Sequence, residues 1–232
     1  MYDKMSVFRP WAFQGSLTRQ KYFEGWYFKH VSANKEDVWS FIPGISLSRE
    51  GRHAFIQVLN GRTGESNVFE YGVEEFSASG KDLDVHLGKS HFSTSGVSLE
   101  VQNESGKIDG KISYASIAQY PSTLINPGIM GWYSFVPFME CKHGVVSMRH
   151  KLSGGLQIDE QYVDFDGGTG YIEKDWGTSF PESWVWLHCN TFNSTQTSFT
   201  FSVAKIPWLG SYFIGFISFL SLEGRFINLS TW

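Results

Sequence analysis

The sequence predicts an all-β, antiparallel protein. Three observations lead there: short runs of aromatic and β-branched residues, turn-forming residues that part them, and very weak helix signals. The runs come in order. KYFEGWYFKHV at 21–31 is aromatic and β-branched around one glycine. DVWSFIPGISLS at 37–48, RHAFIQVLNG at 52–61, NVFEYGVEEFSAS at 67–79 and VSLEVQNESGKIDGKISY at 97–114 follow, separated by Gly, Asn, Ser and Asp. Residues 143–177 read as a string of hairpins, with turns expected at Ser153-Gly154-Gly155 and Asp166-Gly167-Gly168. Such spacing fits an antiparallel barrel or sandwich. Helix candidates are limited to short pieces near Phe8 to Leu17 and Pro181 to Ser183. Residues 120–139 carry three prolines and little alternation, yet are too apolar to be solvated; they read as an ordered loop.

The chain has 232 residues, enough to bury a substantial core in one large β domain or two small ones. A net charge of −4 gives no electrostatic case for nucleic acid. Charged residues make up 18%, below the roughly 25% usual for soluble domains, while aromatics reach 17%. That balance implies a thick core or the walls of a large apolar cavity. Cys141 and Cys189 are too few for a disulfide framework and read as reduced thiols. The seven histidines show no HxxxH or CxxC spacing, so no metal is expected. The N-terminus has no apolar segment of signal-peptide type. The longest apolar run, Trp208 to Leu222, is broken by Gly and Ser and is short of the roughly 20 residues of a spanning helix. It reads as strand. The apolar strand pattern is still running at Trp232, so the chain is expected to be a piece whose partner strands lie beyond that residue.

The stretch GYIEKDWGTSFPESWVWLHCNTF, Gly170 to Phe192, gathers acids, indoles and an imidazole. Side chains alternate across a strand. Tyr171, Glu173 and Asp175 therefore share one face, with Ile172, Lys174 and Trp176 on the other. Trp184, Trp186, His188 and Asn190 line one face of the next strand; Val185, Leu187 and Cys189 line an aliphatic face expected to pack on a second layer. In the first strand Glu24 and Trp26 share a face with Tyr22, Phe28 and His30. The mixed faces are expected to be barrel interior or partly exposed surface, and a barrel of about eight strands can enclose one small ligand. Glu173 and Asp175, about 7 Å apart on one face, can raise each other's pKa if buried. Lys174 points away from both. Each residue also has a plainer reading: Glu24 as a paired ion, the tryptophans as core, His188 as a hydrogen-bonded core or rim histidine.

Three motifs carry a resemblance. FEGWYFKHV, NPGIMGWYSFVPFMECKHGVVSM and GYIEKDWGTSFPESWVWLHCNTF, in that order, resemble the tocopherol cyclase family from about Arg9 to Leu222. The resemblance implies a lipocalin-like (calycin) fold related to the carotenoid 1,2-hydratases, with two β-barrels: a first at 1–180 and a second, begun at 181–232 and incomplete. It implies cyclisation of a prenylated hydroquinone to a chromanol, by protonation of an alkene and capture of the cation by the phenol oxygen, with no cofactor. In the related hydratases the acid stands in an equivalent Tyr-x-acid-x-x-Trp-Gly motif. Carried onto this chain, that makes Glu173 the proton donor, tuned by Asp175 and oriented by Tyr171. Glu24, Trp26, Trp184, Trp186, His188 and Asn190 would line the ligand site.

Two further classes stay open on the residues: a lipocalin-like carrier of an isoprenoid or lipid, and a carbohydrate-active β protein built on two acids and tryptophan platforms. A Glu173 buried against an apolar cavity favours the enzyme; one exposed or paired with Arg or Lys favours the carrier. The expected partner is an apolar small molecule, collected through peripheral contact with a membrane. With no plastid transit peptide, the expected setting is the bacterial cytoplasm.

Overall fold

A computed structural model describes residues 6–231, except 138, 194, 195 and 209. Its strands are β1 (Tyr22–Val31), β2 (Val38–Leu47), β3 (Arg52–Asn60), β4 (Ser66–Tyr71), β5 (Phe76–Ala78), β6 (Asp84–Leu87), β7 (Ser90–Ser93), β8 (Gly96–Asn103), β9 (Gly106–Ala118), β10 (Cys141–Ile158), β11 (Gln161–Asp164), β12 (Thr169–Gly177), β13 (Ser183–Cys189), β14 (Ser198–Trp208), β15 (Ser211–Leu222) and β16 (Arg225–Ser230). The fold is all-β and antiparallel. The described residues include no α-helix, only 3₁₀ turns at Ser6–Phe8, Val73–Glu75 and Gly131–Phe135. The helix candidates at 8–17 and 181–183 are thus not helical beyond Phe8, and Ser183 opens β13. No helix among the described residues is long and apolar enough to cross a membrane.

Twelve strands form one sheet in the order β4-β3-β2-β1-β12-β10-β9-β8-β7-β6-β5, with β11 on β10. The sheet curls back on itself: Asn103 at the end of β8 donates to Asn67 Oδ1 and Val68 O of the edge strand β4 at 3.2 and 3.1 Å. No strand ladder joins β4 to β5, so the barrel is open along that seam. The concave side is filled by Trp26, Phe28, Phe41, Ile56, Phe92, Leu156 and Phe165, all fully buried. The expectation of a ligand inside this barrel therefore fails on packing, because large side chains occupy the space.

The turn expected at Ser153-Gly154-Gly155 is not there. All three residues lie inside β10, and the chain reverses at Asp159-Glu160 instead. The glycines answer a different need: a Cβ at Gly155 would sit 2.6 Å from Val163 O, so β11 could not pair closely. The Asp166-Gly167 turn is present, with Gly167 at φ +72°.

The second sheet runs β13-β14-β15-β16. It packs on the convex side of the first through Tyr171, Val145, Met148 and Phe219, with the 120–139 segment adding Tyr120, Ile129, Met130 and Met139. Ser198 Oγ donates to Met148 O at 2.8 Å, tying β14 to β10. In β13 the expected inward face is reversed. Val185 and Leu187 are 61% and 48% exposed, whereas Trp186, His188 and Asn190 face the first sheet. Directional contacts to Tyr27, Tyr171 and Gly170 O fix that orientation.

Candidate active site

Strand parity decides which residues can meet. In the β1–β12 ladder Glu24 pairs with Trp176, Trp26 with Lys174, and Tyr27 with Glu173. Paired residues share a face. The side chains of Glu24 and Trp26 therefore fall on the concave side with Lys174, on the opposite face from those of the other predicted site residues, although Glu24 borders one cavity that Glu173 also lines. Lys174 Nζ lies 2.8 Å from Glu24 Oε1, with both side chains fully buried. The ammonium also sits 3.6 Å over the Trp176 ring. Glu24 accepts from Gln14 N at 2.9 and 3.1 Å and from the Tyr22 hydroxyl. It is a buried structural ion, and Trp26 is core.

On the convex side β12 presents Tyr171, Glu173 and Asp175 toward the second sheet. Tyr171 is fully buried and its hydroxyl donates to Glu173 Oε2 at 2.6 Å. Burial, with the charge of Glu173, holds its pKa well above the ordinary phenol value. His188 stacks on the Tyr171 ring with centroids 3.6 Å apart. Burial, then the charge of Lys29, keeps the His188 pKa well below its usual value, so the ring is neutral. Trp186 Nε1 donates to the same Glu173 Oε2 at 3.2 Å, and its ring meets Tyr27 edge-on at 5.4 Å. Asn190 Nδ2 donates to Gly170 O at 2.9 Å, anchoring the end of β13 to the start of β12. Trp184 is half exposed at the rim, against Phe180.

His143 is the residue that sequence reasoning missed. It lies on β10, opposite Asp175 in the ladder, with Val145 opposite Glu173. Its Nδ1 is 2.9 Å from Asp175 Oδ1 and its Nε2 is 3.5 Å from Glu173 Oε2. Burial pushes the imidazole pKa down, but Asp175 and then Glu173 outweigh it and raise the value to about 9. Glu173 is pushed up from 4.5 to about 7, first by burial; His143 opposes this and Asp175 adds to it. The ligating atoms of His143, Glu173 and Asp175 lie close enough to hold a metal ion. Each imidazole nitrogen nevertheless faces its own carboxylate, the arrangement of an ion-paired imidazolium. No signal within β12 points to His143, since 32 residues separate it from Asp175.

In Asp175→Asn the main support of the His143 charge goes. The His143 pKa is then expected to fall from about 9 toward the ordinary value near 6.5. A pH titration of the His143 ring signals by NMR checks this; an unchanged titration would show that Glu173 alone holds the proton on the ring.

Two cavities meet at this cluster. One of about 420 Å³ lies between the sheets, walled by Tyr27, Met130, Tyr133, Trp184, Trp186 and Ile206. The other, about 610 Å³, lies along the convex side of β1–β3 by Phe23, Phe55 and Gln57. Tyr27, Ile42, Glu173, Asp175 and Phe180 border both.

Comparisons with known proteins bear on the family and the fold. A family described as tocopherol cyclase-like matches residues 94–232. A probable chloroplastic tocopherol cyclase of rice (Oryza sativa subsp. japonica) is 30% identical over 107 residues, 44% of this chain and 23% of that protein. The chloroplastic tocopherol cyclase of maize (Zea mays) is 30% identical over 107 residues, 44% of this chain and 22% of that one. The match thus spans under a quarter of either relative. Among solved structures, CghA superposes with TM-score 0.60 at 11% identity, covering 98% of this chain and 64% of that one. Kievitone hydratase from Nectria haematococca superposes with TM-score 0.51 at 12% identity, covering 94% and 68%. At these identities the likeness is one of fold. The family match covers more than half of the sequence, β8 to β16 with His143, Tyr171, Glu173 and Asp175 included: the chain belongs to the tocopherol cyclase-like family.

Proposed function

We propose that the protein closes the ring of a prenylated hydroquinone by acid catalysis, with Glu173 as the proton donor. The observation that carries this reading is the asymmetry of the Glu173 carboxyl. Oε2 takes the contacts from Tyr171, Trp186 and His143. Oε1 takes none of these, so the proton belongs on Oε1. Burial keeps that proton in place up to about pH 7. An alkene is a very weak base, and only a neutral, positioned acid in a dry site can protonate it.

The steps balance without a cofactor. The Oε1 proton passes to an alkene carbon and leaves a tertiary cation. The phenol oxygen attacks that cation, a C–O bond forms, and the phenol proton returns to the Glu173 carboxylate. The rings of Tyr27, Trp186 and Trp184 offer their faces to the passing cation. The paired cavities suit a ligand with a ring at one end and a long apolar tail. The basic group beside Glu173 among the described residues is His143, with no Lys or Arg paired to it, which supports the enzyme reading over a carrier. A substrate of this class dissolves in membranes. The exposed Phe180 and Trp184 at the cavity rim are proposed as the contact through which the protein collects it.

A panel of prenylated quinols tests the proposal. Cyclisation gives a chromanol of unchanged mass; hydration adds one water, and its appearance would reassign the protein as a hydratase. No product from any quinol tried would count against both. In parallel, titration with a prenylquinol is expected to quench tryptophan emission saturably, because Trp184 and Trp186 line the cavity. Quenching that survives removal of both indoles would place the ligand elsewhere.

A further inference from the structure

The hairpin β6–β7 carries a second cluster, far from Glu173 in the chain and independent of the cyclase reading. Asp84 and His86 point outward from β6, since Val85 and Leu87 point into the core. His91 points outward from β7 and is paired with His86 across the ladder. A two-residue turn, Gly88-Lys89, joins the strands, with Gly88 at φ +57°. The two imidazoles are parallel, 4.2 Å apart at 9°. Both turn Nε2 toward one atom: Asp84 Oδ1 is 2.7 Å from His91 Nε2 and 3.3 Å from His86 Nε2. Cross-strand neighbours are uncharged, Ser77 beside His86 and Ser98 beside His91. The Lys89–Glu100 ion pair lies on the same hairpin and the adjoining β8.

We propose that Asp84, His86 and His91 bind a transition-metal dication, zinc being the representative. Two imidazole nitrogens and one carboxylate are a borderline donor set, suited to zinc, copper or nickel and not to magnesium or calcium. A tetrahedral zinc, with ligands at roughly 2.0–2.1 Å, needs donor atoms about 3.3–3.4 Å apart. Asp84 Oδ1 already stands at that separation from His86; it needs to retreat by roughly 0.6–0.7 Å from His91, and the two parallel rings need to tilt so that both Nε2 lone pairs converge on the metal. Water would complete the coordination. The metal would clamp β6 to β7 in the part of the sheet where strands are shortest, three or four residues each, next to the unclosed seam. Spacing along the chain, D-x-H-x₄-H, hides this site because its geometry comes from the hairpin pairing.

The test is calorimetric titration of the whole chain with zinc chloride. One zinc per chain is expected at this hairpin. His86→Ala and His91→Ala each remove a ligand and should weaken it by at least the roughly tenfold that loss of even a ligand's hydrogen-bond partner costs, while His53→Ala leaves it unchanged. With zinc at about 100 times its Kd, the folding equilibrium of the hairpin shifts by about 100-fold, read as slower amide exchange in β5–β7. Retained affinity in both histidine variants overturns the proposal, as does loss of zinc binding in Glu173→Gln, which would move the metal to the His143 cluster. Absence of zinc uptake at millimolar metal also overturns it. Should a variant misfold, the unmodified protein still decides: zinc must shift the ring resonances of His86 and His91 and leave the other histidines in place.

Discussion

Glu173→Gln is expected to abolish quinol cyclisation and to leave quinol affinity within a few-fold of the original. The glutamine keeps the shape of the side chain, and its carbonyl oxygen can still accept from Tyr171 and Trp186. What it lacks is an acidic proton for the alkene. Loss of a positioned general acid costs roughly 10²–10⁴-fold in rate, and alkene protonation belongs at the steep end of that range. The same substitution should stabilise the fold at alkaline pH. The carboxyl is raised from 4.5 to about 7 in the folded protein, so above pH 4.5 the unfolded chain has released a proton that the folded chain still holds. Stability contributed by this group is complete below pH 4.5 and is lost as pH rises toward and through 7. The loss is at most about 3 kcal/mol, at 1.36 kcal/mol per pKa unit. Glutamine does not titrate, so the variant should be more stable than the parent at pH 8 and nearly equal at pH 4. Urea unfolding at the two pH values reads the difference. Equal stabilities at pH 8 would mean that Glu173 is not held neutral by its surroundings.

Lys174→Met should destabilise the protein by about 3–5 kcal/mol, the usual result of removing one partner from a buried ion pair. Glu24 would be left charged inside the barrel without its cation, while Gln14 N and the Tyr22 hydroxyl still donate to it. A double variant, Lys174→Met with Glu24→Gln, should recover part of the loss, because no uncompensated charge then remains. Turnover at a temperature where the single variant stays folded should be near normal, since Lys174 faces away from the cavities. Denaturant unfolding of the two variants checks the sign and size. A loss under about 1 kcal/mol in the single variant would mean that Glu24 is neutral or hydrated in the folded protein, against the pairing described.

Alternation along each strand was legible in the sequence, and it separated Tyr171, Glu173 and Asp175 correctly from Ile172, Lys174 and Trp176. Alternation does not say which face is inside. Glu24 and Glu173 looked alike as acids among aromatics, yet the β1–β12 register sends them to opposite sides of one sheet. His143 became visible only through the β10–β12 pairing, a long-range contact with no local trace. Val185 and Leu187 looked like core because they are aliphatic, and they are exposed here because directional contacts hold the Trp186 and His188 face inward. The glycines at 154 and 155 looked like a turn; in the structure they serve close strand approach. Trp232, where the apolar pattern is still running, lies outside the described residues. In each case local chemistry was readable, and the missing information was which strands pair and in what register.

The account rests on proton transfer from Glu173 to carbon, and turnover in D₂O tests it most directly. The chromanol formed by the unsubstituted protein should carry one deuterium in a new, non-exchangeable C–H bond, with none in product from Glu173→Gln because no product forms. A chromanol without deuterium on carbon, or labelled chromanol made at the normal rate by Glu173→Gln, would contradict it.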